Sequence, residues 1–449
     1  MKLNIKIFLL GILLFCFQYK NSAVDLTKLD EFIANPDIWN IEASNLVPEK
    51  PKNGDCLKWL SDSKDTARYP AYKSPQITFL GEDVIEAIFR FSDGKLSKID
   101  VSLYNRGDVG DISIDVLNNK VEEIGKKIEQ WSGDKGVLHE KQRLTTGMWI
   151  QKKAWVKGNF ISIVMLWSST DVKKIERGEY LKLEFYKFNP KEDPRKKVIV
   201  SSEKDSEIKA DISEKELKQN VRKDEKGYIY IDGIPMVDQG EKGYCAVASS
   251  EAILRYYGCN VDQHLIAQLA CSSADSGTDL NKMYDILKKT GAKFGVKIKD
   301  IFSFEFGDFR RKVLKNYNKV EKKEKLPETQ FKNWTNIVGY YDQMNLETLR
   351  KARVEGEKND YNKFVKEIIS SIDKGIPLLW SLILGMAPES VKLPQLLGGH
   401  MRIIKGYNKE TNEIVYMDTW GVGHDWKTMK FEDAWAVTMG LYIVEPKKK

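Results

Sequence analysis

The chain has 449 residues, 42% hydrophobic and 31% charged, an ordinary globular composition with enough length for two or three domains. Its net charge of +7 is a small difference between 72 basic and 65 acidic residues mixed along the chain. No long basic run is interleaved with aromatics, which excludes nucleic acid as a partner class.

Lys2 and Lys6 open the chain, and an unbroken apolar stretch runs from Ile7 to Phe17. That stretch is shorter than the roughly 20 residues of a bilayer span. The pattern predicts a signal peptide over residues 1–23, cleaved after Ala23, and a secreted or periplasmic protein with no stable membrane insertion after cleavage. The alternative is an uncleaved signal that anchors the protein in the membrane. Beyond it the chain keeps Cys56, Cys245, Cys259 and Cys271. A helix predicted over 262–270, at about 1.5 Å rise per residue, holds Cys259 and Cys271 beyond disulfide reach. No disulfide framework is expected.

Residues 24–188 read as an N-terminal α+β domain. Two strand-like runs, 84–91 and 95–104, meet at a turn containing Asp93-Gly94. Leu117, Val121, Ile124, Ile128 and Trp131 recur every three or four residues, the stripe of one amphipathic helix. A second hairpin is predicted over 149–167, broken at Gly158. Leu181, Leu183 and Phe185 then alternate with charged residues as a half-exposed strand. The simplest architecture is a sheet with the helix on one face. This half carries no catalytic constellation. Arg106-Gly107-Asp108 spells an adhesion tripeptide but is expected to be a solvated turn, and His139 lacks a second ligand at metal spacing. A binding, targeting or inhibitory module is the expected role.

From 189 to 226, Lys, Glu, Asp and Ser dominate. Such a segment buries too little apolar surface to offset its ordering entropy, so a charged linker is predicted, with room for one short helix at 213–221. Residues 227–449 form the next domain. A strand at 228–231 is followed by a glycine-containing loop, then by Cys245 and an amphipathic helix ending at Gly258. Helices are predicted at 262–270 and 280–289 and through much of 302–374. Strands are predicted at 377–384, 401–407, 413–417 and 440–444. Helices first and an antiparallel sheet afterwards make this half α+β as well.

Thiol acyl transfer needs a thiolate, which is favoured at a helix N-terminus beside a histidine. Cys245 stands where the loop enters its helix, and the unpaired N–H groups there stabilise an anion. His400 follows Gly398-Gly399 at the head of an apolar strand, and Asp418 ends the next strand. A short turn between those strands lets the two side chains face each other. Gln239, six residues before Cys245, offers a side-chain amide beside the Cys245 backbone N–H as an oxyanion hole. His424 is a weaker rival for the base. Neither metal nor nucleotide motifs occur, and no cofactor is expected.

The segment Gln239-Gly-Glu-Lys-Gly-Tyr-Cys-Ala-Val-Ala-Ser249 resembles the papain-family nucleophile motif. His400 with Gly406-Tyr407 resembles that family's histidine strand, and Asp418-Thr-Trp-Gly421 resembles its Asn-Ser-Trp-Gly. The Cys-His-Asp set with its upstream Gln is similar to the double-glycine leader peptidases that process bacteriocin precursors. The resemblance spans about 228–446. It implies a cysteine peptidase with a helical lobe, a sheet lobe and a cleft between them, acting on a peptide or protein substrate, with Trp420 shielding the His400–Asp418 bond. Lys242 and Ala246 depart from the papain pattern. Two other functions share these residues: another thiol acyl-transfer enzyme, such as an amidase or a transglutaminase-like enzyme, and a non-catalytic binding protein on the same fold. If Asp418 serves only as a hydrogen-bond acceptor, its replacement by Asn is expected to be mild.

Overall fold

The computed structural model describes residues 25–47, 57–60, 64–69, 76–143, 148–172, 175–196, 209–240, 244–259, 261, 266, 288, 291–292, 294–303, 309–332, 337–389 and 397–447. The predicted signal peptide, Cys56, Cys271 and, apart from the helical Ile266 and Lys288, the helices predicted at 262–270 and 280–289 lie outside the described residues. The chain is α+β, with two large antiparallel sheets and a separate hydrophobic core at each.

The N-terminal sheet has nine strands. Its centre runs in the order Glu86–Ser92, Lys95–Asn105, Ile175–Lys187, Ile161–Val172, Met148–Lys157. Asp93 and Gly94 both take positive φ (51° and 73°), the backbone of a tight hairpin whose twist matches its strands. The helix Ile114–Ser132 starts at Ser113, whose hydroxyl accepts from the Val116 N–H. It buries Leu117, Ile124 and Ile128 against Trp155, Met165 and Leu183 on one face of the sheet. The sheet also borders a cavity of about 1010 Å³, lined in addition by Glu251 and Arg255 of the helix that Cys245 opens.

The adhesion-like tripeptide is not a solvated turn. Arg106 and Gly107 are buried in a short helical turn, and Arg106 Nε pairs with Glu179 Oε2 at 2.8 Å. His139 is also buried, its Nε2 2.9 Å from the Pro194 carbonyl oxygen.

The expected linker, 189–226, is corrected at both ends. Pro190–Glu192 forms a short 3-10 turn, and Arg195 pairs with Asp134 at 3.0 Å. From residue 209 the chain is docked on the C-terminal core: the Ala210 N–H donates to Phe294 O and the Asp211 N–H to Tyr257 O, both at 2.8 Å. The helix Glu214–Gln219 is closed by a capping box between Ser213 and Glu216 and buries Leu217, and Val221–Lys223 pairs with Ile229–Ile231. The short helix expected at 213–221 is present; what composition did not reveal is its docking, since one buried leucine and a reciprocal cap anchor a helix whose charges all face water. Contacts of the C-terminal unit therefore begin near 209, not 227.

The C-terminal sheet has eight strands in the order Val221–Lys223, Ile229–Ile231, Gly398–Asn408, Leu378–Leu384, Thr438–Pro446, Val296–Ser303. Glu413–Met417 also pairs with Gly398–Asn408, and Lys427–Lys430 pairs with Glu413–Met417. Leu378–Leu384 is buried along its whole length, as a central strand covered on both faces must be. The helices Cys245–Tyr256 and Lys358–Ile372 pack on the long strand that carries His400.

Candidate active site

Cys245 is the first residue of the helix Cys245–Tyr256, which is buried on nearly every side. Its first turn holds no acidic residue and its N-cap, Tyr244, makes no side-chain capping bond. The first N–H groups are therefore left to face an anion. The residue is half-buried. Its sulfur faces His400 and the backbone N–H groups of Met401 and Ala246. Burial alone pushes this thiol up, but the bond and charge from His400 and the two backbone donors outweigh it, so it titrates below its ordinary value.

His400 sits on the central strand Gly398–Asn408, opposite Leu382 on one side. On the other side Ile403 faces Met417; carrying that ladder one pair further sets Asp418 across from Arg402 and diagonal to His400. The His400 Nε2 lies 2.9 Å from Asp418 Oδ1, which leaves Nδ1 for the thiol. Both side chains are buried. Burial pulls the imidazole down, but Asp418 and Cys245 together carry it above its ordinary value. Both shifts run in the direction that favours charge separation between thiol and imidazole.

Asp418 does more than accept from His400. Its Oδ1 also accepts from Arg402 Nε at 2.7 Å, and its Oδ2 accepts from Lys427 Nζ at 2.7 Å. Its burial would raise the carboxyl, yet Arg402, His400 and Lys427 hold it far below the usual carboxylate range. Glu389 balances the second cation: Arg402 reaches it at 2.8 Å, Lys427 at 3.5 Å and the Tyr416 hydroxyl at 3.0 Å. Arg402 also stacks over the Tyr416 ring, 4.6 Å from its centre.

Trp420 lies flat on His400, ring centres 4.4 Å apart and planes 18° from parallel. His424 meets Trp420 edge-on at 5.5 Å, and its carbonyl accepts from the Asp418 N–H, so it buttresses the loop while His400 bonds the thiol. The Gln239 side chain is oriented by Thr419, whose hydroxyl donates to Gln239 Oε1 at 2.7 Å. The Gln239 backbone N–H donates to the Thr419 carbonyl at 2.8 Å. The amide oxygen is thereby held at the Asp418 strand end and the NH₂ group directed away from it.

Residues 231–443 match the family model described as Peptidase_C39 like family. This segment is similar to the papain-like cysteine peptidases. No curated protein matches the chain. The matched segment takes in Gln239, Cys245, His400 and Asp418 and leaves the N-terminal sheet outside. Around this papain-like centre the sequence reading missed Arg402, Lys427, Glu389 and Thr419. Arg402 carried a signal, since it shares a sheet face with His400 two residues away. Thr419 stood inside the recognised Asp418-Thr-Trp-Gly421 run. Lys427 carried none, because only the lateral pairing of strands brings it to Asp418, and neither did Glu389, which reaches Arg402 and Lys427 from the loop that follows Leu378–Leu384.

Proposed function

We propose that the chain is a secreted or periplasmic cysteine peptidase that cleaves peptide bonds with Cys245 as nucleophile, His400 as acid and base, and Asp418 as the group that orients His400. The observation that carries this reading is Cys245 at the head of a buried helix in the same domain as a buried His400–Asp418 pair covered by Trp420, within the segment that matches a cysteine-peptidase family. The thiolate forms a bond to the scissile carbonyl carbon, and the resulting oxyanion accepts from the Cys245 backbone N–H and the Gln239 amide. As the C–N bond breaks, the imidazolium proton passes to the leaving amine. His400 then removes a proton from water, hydroxide attacks the thioester, and the acid product leaves with the thiol regenerated. Trp420, stacked on His400, keeps water from the His400–Asp418 bond. Secretion rests on the apolar stretch from Ile7 to Phe17 behind two lysines.

The test is covalent labelling with a thiol-directed peptidyl electrophile, followed by incubation with a peptide library and mass spectrometry of the products. Labelling of the wild type at Cys245, its loss in Cys245→Ala, and hydrolysed peptide bonds are the expected result. Labelling with amide hydrolysis confined to side chains, or with acyl transfer to amines, would make the chain a different thiol enzyme. No labelling at all would make it a binding protein.

A further inference from the structure

The family match leaves out the N-terminal half, yet that half reaches the loop before Cys245 at two points. The first is Arg68, on the strand Thr66–Tyr69 and only 6% exposed. Its Nη1 lies 3.0 Å from Asp238 Oδ1, and its Nη2 donates to the Asp238 carbonyl oxygen at 2.9 Å. Glu86 Oε2 holds the Nε side at 3.0 Å. The same Asp238 oxygen accepts from the Gly240 N–H at 2.7 Å. One guanidinium therefore grips both the main chain and the side chain of the residue next to Gln239, in the fork geometry that only arginine offers.

The second point is Gly107. Tyr244, the residue before Cys245, is 1% exposed, and its hydroxyl lies over this glycine so closely that a Cβ there would fall 1.2 Å from the oxygen. Arg106, anchored on Glu179, keeps this turn in place. Asp238 and Tyr244 bracket the stretch that contains Gln239 and leads into Cys245, and both are held by the N-terminal half.

We propose that the N-terminal half is a structural part of the active site, and that Arg68 is a positioning residue which, together with the Gly107–Tyr244 contact, sets the Gln239 amide relative to Cys245. This rests on the thiol-hydrolase reading above, because what Arg68 positions is the oxyanion donor. The consequence is a split between two kinds of reactivity. Attack on a small haloacetamide needs only the thiolate–imidazolium pair, which Arg68 does not touch. Reversible addition of the thiol to a peptide aldehyde also needs donors at the hemithioacetal oxygen.

The experiment uses the full chain, with iodoacetamide and an acetylated dipeptide aldehyde as the two probes. Arg68→Lys keeps the charge that Asp238 and Glu86 require, so folding is retained while the fork is lost. Its aldehyde affinity is expected to fall by about tenfold or more, with an iodoacetamide rate within about threefold of wild type. Gly107→Ala, which displaces Tyr244 from the other side, is expected to show the same split. Aldehyde affinity within twofold of wild type in folded Arg68→Lys would overturn the proposal. So would equal losses on both probes that track a lowered melting temperature, which is the mark of a purely structural contact. Failure of the wild type to react with either probe at Cys245 would instead overturn the functional reading itself.

Discussion

Replacing Asp418 by Asn separates two roles of one carboxylate. A group that only orients an imidazolium needs to accept one hydrogen bond, and an amide oxygen can do so. In the folded chain, however, three donors converge on Asp418: His400 at 2.9 Å and Arg402 at 2.7 Å on Oδ1, and Lys427 at 2.7 Å on Oδ2. An Asn placed with its oxygen toward His400 and Arg402 must aim its NH₂ at the Lys427 ammonium. Lys427, 3% exposed, is then left with Glu389 at 3.5 Å. Breaking a buried ion pair by removing one partner costs about 3–5 kcal/mol. The mild effect expected from the sequence therefore holds for the chemistry alone. Asp418→Asn should lose about 3–5 kcal/mol in urea unfolding followed by tryptophan fluorescence, while the Cys245 alkylation rate of the folded protein stays within about tenfold of wild type. Adding Lys427→Met should recover at least half of the lost stability, because it removes the uncompensated ammonium. Unchanged stability in Asp418→Asn would refute the counter-charge argument. A thousandfold fall in alkylation by a folded Asp418→Asn protein would show that the negative charge itself maintains the ion pair.

The pH dependence follows from opposite shifts. The Cys245 thiol lies below its ordinary 9.0, so the thiolate persists until the pH falls through that lowered value; His400 lies above its ordinary 6.5, so the imidazolium persists until the pH rises through that raised value. Turnover should fall at low pH as the thiolate is protonated and at high pH as His400 loses its proton, and in His400→Gln the alkylation midpoint should rise, because burial is then opposed only by the two backbone donors. The linked stabilities have the same signs. The His400 contribution is complete below 6.5 and disappears as pH rises through its raised value, whereas the Asp418 contribution is complete above 3.8 and disappears only as pH falls through its depressed value. Gln239→Ala should lower turnover by about 10²–10³ with little change in alkylation, as removal of one oxyanion donor does; an equal loss in both would make Gln239 a structural residue. Leu217→Ala should cost about 2–5 kcal/mol of C-terminal stability if that helix is part of the core, against well under 1 kcal/mol for a residue in a free linker.

Much of the layout was legible because it is local. Leu117, Ile124 and Ile128 announce their helix by spacing, Asp93-Gly94 announces its hairpin by the positive φ it tolerates, and Cys245 was legible as a residue at a loop-to-helix junction, the place for a candidate nucleophile. His400 and Asp418 were legible as the ends of two strands joined by a short turn, since a short turn leaves an antiparallel hairpin few registers. In the charged stretch the short helix at 213–221 was legible but its docking was not, because composition averages over residues, whereas docking depends on the single side chain of Leu217 and one reciprocal cap.

What the sequence determined by itself, then, are the periodic elements, the α+β class, and a Gln, Cys, His, Asp order that resembles a known family's. Only the tertiary structure decided what surrounds Asp418 and what holds the loop before Cys245. Lys427 reaches Asp418 through the lateral pairing of Tyr416 with Lys427, and Arg68 reaches Asp238 from 170 residues away through the packing of two separate sheets. Burial then turns those encounters into strong, obligatory charge pairs, because in a low-dielectric interior each charge must find its partner wherever the fold places it.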